Sequence, residues 1–238
     1  MVVDVVRGFV LVPGAGGQAW YWHRVVEALQ ARGRTAVAVD LPADDDRAGL
    51  AAYADVIVGA AAGLDDVVLV AQSMGGLSAP LACERLPASL LVFVNAMIPA
   101  FGETGSEWWE NTGQEQAAAE AAAAQGRTVD DLDDVFFHDI PADLVAAAIT
   151  VEREQSMTPF AEPFPQKRLP DVPIKVIASR EDRLFPPAFQ RRVAMDRIGI
   201  TPDQIPGGHL AQLSQPDAIA DLLVTYANPG NVSATRRV

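Results

Sequence analysis

The sequence predicts an α/β protein whose mostly parallel sheet is covered by helices on both faces. Three observations support this. Short β-branched runs alternate with longer amphipathic stretches through the first 100 residues. The short runs are apolar almost throughout, as the strands of a doubly covered parallel sheet are. Half of the 238 residues are hydrophobic, which is enough for a sizeable core.

The first four strands are predicted from the runs GFVLVP at 8–13, TAVAVD at 35–40, VVLVAQ at 67–72 and LLVFVNA at 90–96. Amphipathic stretches follow the first three runs, at 18–33, 48–64 and 73–86. A parallel connection needs such a crossover helix, so each stretch is expected to return the chain to the start of the next strand.

The second half of the chain is predicted to be helical before the sheet resumes. Residues 102–113 read as turn-rich, and helices are expected over 115–126, on either side of Pro141, and over 186–199 and 215–227. The run IKVIAS at 174–179 gives the fifth strand. Residues 1–99 and 172–227 are therefore assigned to the core, residues 100–171 to a helical cap inserted between the fourth and fifth strands, and residues 228–238 to a flexible tail.

Charge and composition exclude several classes of function. The net charge is −13, from 31 acidic and 18 basic residues, so nucleic acid and anionic bilayers should be repelled. No apolar run is long enough to span a membrane, and the amino terminus lacks the pattern of a signal peptide. The single cysteine, Cys83, excludes an internal disulfide and a thiolate metal site. We therefore expect a cytoplasmic protein without nucleic-acid or membrane partners; its oligomeric state cannot be read from the sequence.

The segment VVLVAQSMGG is the strongest chemical signal. A serine on a sharp turn from a buried strand into a helix needs small residues two positions before and after it, and Ala71 and Gly75 meet that need around Ser73. The alternative interpretation is an ordinary serine cap at the start of a helix.

A base and an orienting acid follow Ser73 in the sequence. His209 lies in a Gly-Gly-His loop after the last predicted strand, and Asp182 follows the fifth strand, with Glu181 as a substitute acid. The chain order nucleophile, acid, base is the one expected of the α/β-hydrolase architecture. The glycine-rich turn VPGAGG after the first strand offers backbone near Ser73, so the N–H groups of Ala15 and Met74 are the predicted oxyanion donors.

The chain resembles the α/β-hydrolase superfamily, and in particular small serine esterases of the plant methylesterase and hydroxynitrile lyase group and bacterial esterases of similar length. The segments that carry the resemblance are PGAGGQAWYWHRV, VAVDLP, AQSMGG, SREDRLFP and GGHLAQLSQP. Pro13 stands where such enzymes usually have a histidine. The lyases carry a lysine beside the histidine and a hydroxyl residue in the oxyanion loop, whereas this chain has Leu210 and Gly14. The resemblance thus implies ester hydrolysis rather than cyanohydrin cleavage.

Two rival functions remain. Gly14, Gly16 and Ala19 with Asp40 imitate a dinucleotide-binding pattern, but no tyrosine lies four residues before Lys167 or Lys175, as a short-chain dehydrogenase would require. A non-catalytic small-molecule receptor on the same fold is the other rival. The aspartate runs at 44–46 and 130–134 lack the pattern of a calcium loop, so no metal is expected.

The predicted function is cleavage of a small to medium, mainly apolar carboxylic ester, without cofactor, through an acyl-enzyme on Ser73. Its predicted substrate pocket comprises Trp20, Met97, Trp108 and His138.

Overall fold

The structure is a computed structural model that describes residues 7–228. The predicted tail, apart from Asn228, lies outside the described residues, as do the first six residues of the segment in which a signal peptide was sought.

Over the described part of the chain, six parallel strands form one sheet in the order β2-β1-β3-β4-β5-β6. The strands are β1 (Arg7–Val12), β2 (Thr35–Ala38), β3 (Asp66–Gln72), β4 (Ala88–Val94), β5 (Ile174–Ser179) and β6 (Asp203–Ile205). The predicted fold class, a parallel sheet with helices on both faces, is confirmed.

Eleven α-helices are formed within residues 7–228. They are α1 (His23–Ala31), α2 (Leu50–Ala60), α3 (Gly75–Cys83), α4 (Gly105–Thr112), α5 (Gln114–Ala124), α6 (Leu132–Phe137), α7 (Ala142–Thr150), α8 (Thr158–Ala161), α9 (Pro187–Ile198), α10 (Ala211–Ser214) and α11 (Pro216–Ala227). A 3-10 turn over Ala19–Trp22 precedes α1. Helices α4 to α8 all lie between β4 and β5, within residues 100–171, which we call the cap segment.

The core has two layers because alternate side chains of each strand point to opposite faces of the sheet. On one face, Val10, Leu69 and Phe93 pack with buried residues of α2, α3 and α9. On the other face, Leu11 and Val70 pack with buried residues of α1 and α11. Burial on both faces explains why these strands are apolar almost throughout.

The turn predicted over 102–113 was wrong for most of its length, because residues 105–112 form helix α4. Thr104 begins this helix with a capping box: its hydroxyl accepts from the Glu107 N–H, and the Glu107 carboxylate accepts from the Thr104 N–H. This Thr-x-x-Glu spacing is a helix-start signal that outweighs the glycines around it. Trp108 then anchors the helix in the core.

The strand β6 was absent from the sequence prediction. It has three residues, and only Ile205 is buried, so it offers no apolar run to detect. It nevertheless extends the sheet beyond β5, and the loop that leaves it carries His209. Among residues 7–228, no helix is long and apolar enough to cross a membrane.

Candidate active site

Ser73 lies at the turn between β3 and α3, in a backbone conformation that side chains rarely adopt, with φ at +49°. Small neighbours make this turn possible. A Cβ atom on Gly75 would lie 2.6 Å from the carbonyl oxygen of Pro13, and one on Gly14 would lie 2.8 Å from the Ser73 Cβ. The loop after β1 therefore lies so close to the serine turn that neither Gly14 nor Gly75 has room for a side chain.

Ser73, His209 and Asp182 lie in one hydrogen-bonded row. The Ser73 Oγ is 3.0 Å from His209 Nε2, and His209 Nδ1 is 2.9 Å from Asp182 Oδ2. An ionised carboxylate can only accept, so Nδ1 carries the imidazole proton and Nε2 is left to accept the serine hydroxyl. His209 and Asp182 are 1% and 3% exposed, which shields their interaction from water.

The Asp182 carboxylate is held in place from several sides. Its Oδ1 accepts from the N–H groups of Leu184 and Phe185 at 2.9 and 2.8 Å, and its Oδ2 also accepts from Gln190 Nε2 at 3.2 Å. Glu181, the substitute acid, instead accepts from the Gly207 N–H. Of the two acids, Asp182 contacts the imidazole.

The backbone near Ser73 offers two N–H groups for a developing negative charge. Those of Ala15 and Met74 take part in none of the turn and loop hydrogen bonds of residues 7–228. Met74 directly precedes α3, whose amino-terminal end carries a partial positive charge. Both residues line the cavity that contains Ser73.

Asn95 was missed by the sequence analysis although it joins three parts of the site. It is fully buried at φ +45°, directly after β4. Its Nδ2 donates to Ser179 Oγ and to the carbonyl oxygens of Gly208 and His209 at 2.9 to 3.2 Å, while its Oδ1 accepts from the Ser179 N–H at 2.8 Å. The available signal was an asparagine at the carboxyl end of a buried strand, which tolerates positive φ.

Gln72, also missed, precedes Ser73 and is 2% exposed. Its Nε2 donates to the His209 carbonyl oxygen at 3.3 Å, so the carbonyl that Asn95 binds has a second donor.

The Ser73 hydroxyl opens into a cavity of about 540 Å³. Most of its wall is apolar and includes Met97, Trp109, Phe136, Phe137, Phe160 and Leu184. Tyr21 and Glu152 add polar groups. Burial raises the pKa of the Tyr21 phenol, and the nearby Glu152 charge raises it further, so Tyr21 stays a neutral hydrogen-bond donor.

Of the four predicted pocket residues, only Met97 lines this cavity. Trp108 is fully buried against Phe185 and Phe189, and its neighbour Trp109 reaches the cavity instead. Trp20 packs on Tyr21 and His23 outside the cavity lining.

His138 lines a second cavity of about 590 Å³, which also contacts Asp182. Its ring lies against Gly208 rather than against the cavity of Ser73. Among the described residues, no group of three or more histidine, cysteine, aspartate or glutamate side chains is arranged to hold a metal ion.

In the sequence pattern that resembles a dinucleotide-binding site, the aspartate has a local structural role. Asp40, the predicted ribose-binding acid, accepts a hydrogen bond from the Ala19 N–H at 2.9 Å and so fastens the start of the 3-10 turn.

Comparison with known proteins identifies the family. Residues 9–222 match the sequence profile of the alpha/beta hydrolase family. The chain belongs to that family. The order of its strands and the strand-turn-helix at Ser73 are thus features of an alpha/beta hydrolase.

Sequence relatives of this alpha/beta hydrolase include plant esterases. A probable esterase of rice, PIR7A, is 44% identical over 110 residues, which cover 41% of either chain. The chain thus covers less than half the length of that relative. The salicylic acid-binding protein 2 of Nicotiana tabacum is 28% identical over 94% of this chain and 98% of its own.

The fold of this alpha/beta hydrolase is also found among solved structures. A polyneuridine aldehyde esterase superimposes with a TM-score of 0.76 at 23% identity, covering 93% of this chain and 99% of the esterase. At this identity the likeness concerns the fold.

Proposed function

We propose that the protein is a serine hydrolase that cleaves a small to medium, mainly apolar carboxylic ester through an acyl-enzyme on Ser73. One observation carries the proposal: the hydrogen-bonded row Asp182, His209, Ser73 ends in a hydroxyl that faces a mainly apolar cavity. The rice relative is named a probable esterase, which supports an ester as the substrate.

In the first half-reaction, Ser73 Oγ attacks the ester carbonyl carbon while His209 Nε2 takes the hydroxyl proton. The Asp182 carboxylate stabilises the resulting imidazolium through Nδ1. The carbonyl oxygen becomes an oxyanion and accepts hydrogen bonds from the Ala15 and Met74 N–H groups. When the tetrahedral intermediate collapses, the bond to the alkoxy oxygen breaks, and His209 returns its proton to the departing alcohol.

In the second half-reaction, water takes the position of the alcohol. His209 removes one of its protons, and the hydroxyl attacks the acyl carbon. Collapse of the second tetrahedral intermediate breaks the bond to Ser73 Oγ, which regains a proton from His209. The products are the carboxylic acid and the free enzyme.

The lining of the cavity supports the choice of substrate class. Aromatic and aliphatic side chains from the cap segment favour an apolar acyl or alkyl group. Glu152 beside Tyr21 and the net charge of −13 both disfavour an anionic substrate, since like charges repel. We also propose a cytoplasmic location, which the single, buried cysteine supports.

The test combines turnover with covalent labelling. Wild type should hydrolyse p-nitrophenyl butyrate, and a fluorophosphonate should label the peptide that contains Ser73, as read by mass spectrometry. Ser73→Ala should lose both label and turnover, the latter by roughly 10⁴-fold or more. Ser78→Ala is the matched control: Ser78 is buried five residues further along, where its hydroxyl bonds only its own helix, and this variant should keep both.

Substantial turnover by Ser73→Ala would overturn the mechanism. A folded wild type that is neither labelled nor active would favour the receptor alternative, and release of cyanide from a cyanohydrin without ester cleavage would favour the lyase.

A further inference from the structure

The loop Gly207-Gly208-His209, which joins β6 to α10, is held by carboxylates on two consecutive N–H groups. The Gly207 N–H donates to Glu181 Oε2 at 2.5 Å, and the Gly208 N–H donates to Asp139 Oδ2 at 2.7 Å. Glu181 belongs to the core, in the turn after β5. Asp139 belongs to the cap segment, between α6 and α7.

Asp139 bonds the chain on both sides of His209. Its Oδ2 accepts from Gly208 and also from the Ser214 hydroxyl, at 2.6 Å, on α10. The approach is close, because a Cβ on Gly208 would lie 2.7 Å from Asp139 Oδ1 and 2.7 Å from His138 Cε1. The backbone that precedes the imidazole therefore lies directly on this aspartate.

The other restraints on His209 act elsewhere. Asp182 holds the ring at Nδ1, Gln72 and Asn95 bind the His209 carbonyl oxygen at 3.3 and 3.2 Å, and Asn95 also binds the Gly208 carbonyl oxygen at 3.2 Å. These contacts act on the imidazole ring and on the two carbonyl groups that flank the His209 Cα. The Gly207–Gly208 peptide, one residue earlier, is instead held from the cap segment by the shorter bond from the Gly208 N–H to Asp139.

We propose that Asp139 is a positioning residue that holds His209 Nε2 at bonding distance from Ser73, so that the cap segment supplies part of the active site as well as the pocket wall. This inference rests on the proposed function, since it assumes that His209 acts as the base. A displacement of the imidazole by a fraction of an ångström lengthens the 3.0 Å contact with Ser73 and slows proton transfer.

The test compares Asp139→Ala with Asp139→Asn. Alanine removes the acceptor of the Gly208 N–H, whereas asparagine keeps a side-chain oxygen at the same distance from the backbone and should preserve activity. We expect Asp139→Ala to lower kcat for p-nitrophenyl butyrate about 10- to 100-fold, with KM within about twofold of wild type. The rate at which a fluorophosphonate labels Ser73 should fall in parallel, because it also depends on His209. Asp139→Asn should stay within about threefold of wild type.

Asp143→Ala is the matched control, because Asp143 is an exposed acid in the same segment, and this variant should keep both rates. If Asp139→Ala fails to fold, as judged by circular dichroism, Asp139→Ser tests the same point with a hydroxyl too short to reach Gly208.

Unchanged labelling and kcat in a folded Asp139→Ala variant would overturn the inference, and so would a loss confined to KM, which would indicate a substrate contact instead. Loss in Asp139→Asn equal to that in Asp139→Ala would also contradict it. A wild type that is never labelled would instead overturn the proposed function itself.

Discussion

Within residues 7–228, Ser73 and Asn95 are the two residues other than glycine that have positive φ. They directly follow neighbouring strands, β3 and β4, and the Ser73 N–H donates to the Asn95 carbonyl oxygen at 3.2 Å. Such conformations persist only where the surroundings enforce them, and they are common at functional sites. Strained backbone at both strand ends therefore agrees with the proposed role of Ser73.

Substitution of Asp182 and of Glu181 tests which of the two acids orients His209. Asp182→Asn removes the charge opposite His209 Nδ1 and allows the imidazole to take the wrong tautomer, so kcat should fall by roughly 10⁴-fold. Glu181→Gln keeps an oxygen for the Gly207 N–H and should cost less than about tenfold. Steady-state hydrolysis of p-nitrophenyl butyrate measures both. A larger loss in Glu181→Gln would reverse the assignment of the acid.

At the scale of elements, the sequence predicted the strands that contain a long apolar run. The predicted strands overlap β1 to β5, and the fifth agrees at both ends, because strands buried on both faces must be apolar. The sequence did not predict β6, because a strand of three residues is too short to show a hydrophobic pattern. Its place in the sheet depends on its pairing with β5.

The candidate site also has a part that the sequence predicts and a part that it does not. Local turn chemistry and chain order were enough to select Ser73, Asp182 and His209. The pocket was not predictable, because neighbours on a helix point about 100° apart and the sequence does not give the rotation of α4. Thus Trp108 faces the core while Trp109 faces the cavity. Asp139 reaches Gly208 only through tertiary folding, because the two residues are 69 positions apart in the sequence.

Two helical glycines should respond to alanine with opposite signs. An added Cβ on Gly59, exposed on α2, would meet nothing within 4 Å, whereas on Gly76, in α3, it would lie 2.0 Å from the Met97 carbonyl oxygen. Gly59→Ala should raise the free energy of unfolding by about 0.5–1 kcal/mol through helix propensity. Gly76→Ala should lower it by about 1–3 kcal/mol or more through overpacking. Urea denaturation distinguishes the two, and equal effects would contradict the packing around α3.

At the scale of the whole molecule, ionic contacts join the cap segment to the core. Arg197 of α9 forms a two-armed ion pair with Glu103, and Arg183 of the turn after β5 pairs with Asp134 of α6. Asp134 also pairs with Arg127. Desolvation raises the pKa of its carboxyl, but the Arg183 and Arg127 guanidinium groups together outweigh that effect and hold the pKa below the usual value. The cap segment is thus fastened beside the turn that carries Asp182.

Stability at alkaline pH should fall because buried acids stay protonated only in the folded state. Burial raises the pKa of the Cys83 thiol to about 12, and burial with the hydrogen bond to Asp203 raises the pKa of the Tyr226 phenol. The unfolded chain releases these protons first, near the usual values of about 8.5 and 10. The folded state therefore binds more protons between the unfolded and folded pKa values. The resulting stability is fully present below pH 8 and is lost as pH rises.

The contribution of Cys83 can be isolated with Cys83→Ala. In wild type, the free energy of unfolding should decline above pH 9, and the thiol accounts for about 1.4 kcal/mol per pH unit of that slope until pH approaches 12. Cys83→Ala lowers the starting stability by opening a small cavity, but its slope between pH 9 and 10 should be shallower by about that amount. Tyr226→Phe serves as the comparison, because its slope should differ from that of wild type only above about pH 10. Urea denaturation from pH 7 to 11 measures all three proteins, and parallel curves for wild type and Cys83→Ala would mean that the thiol ionises as readily in the folded chain as in the unfolded one.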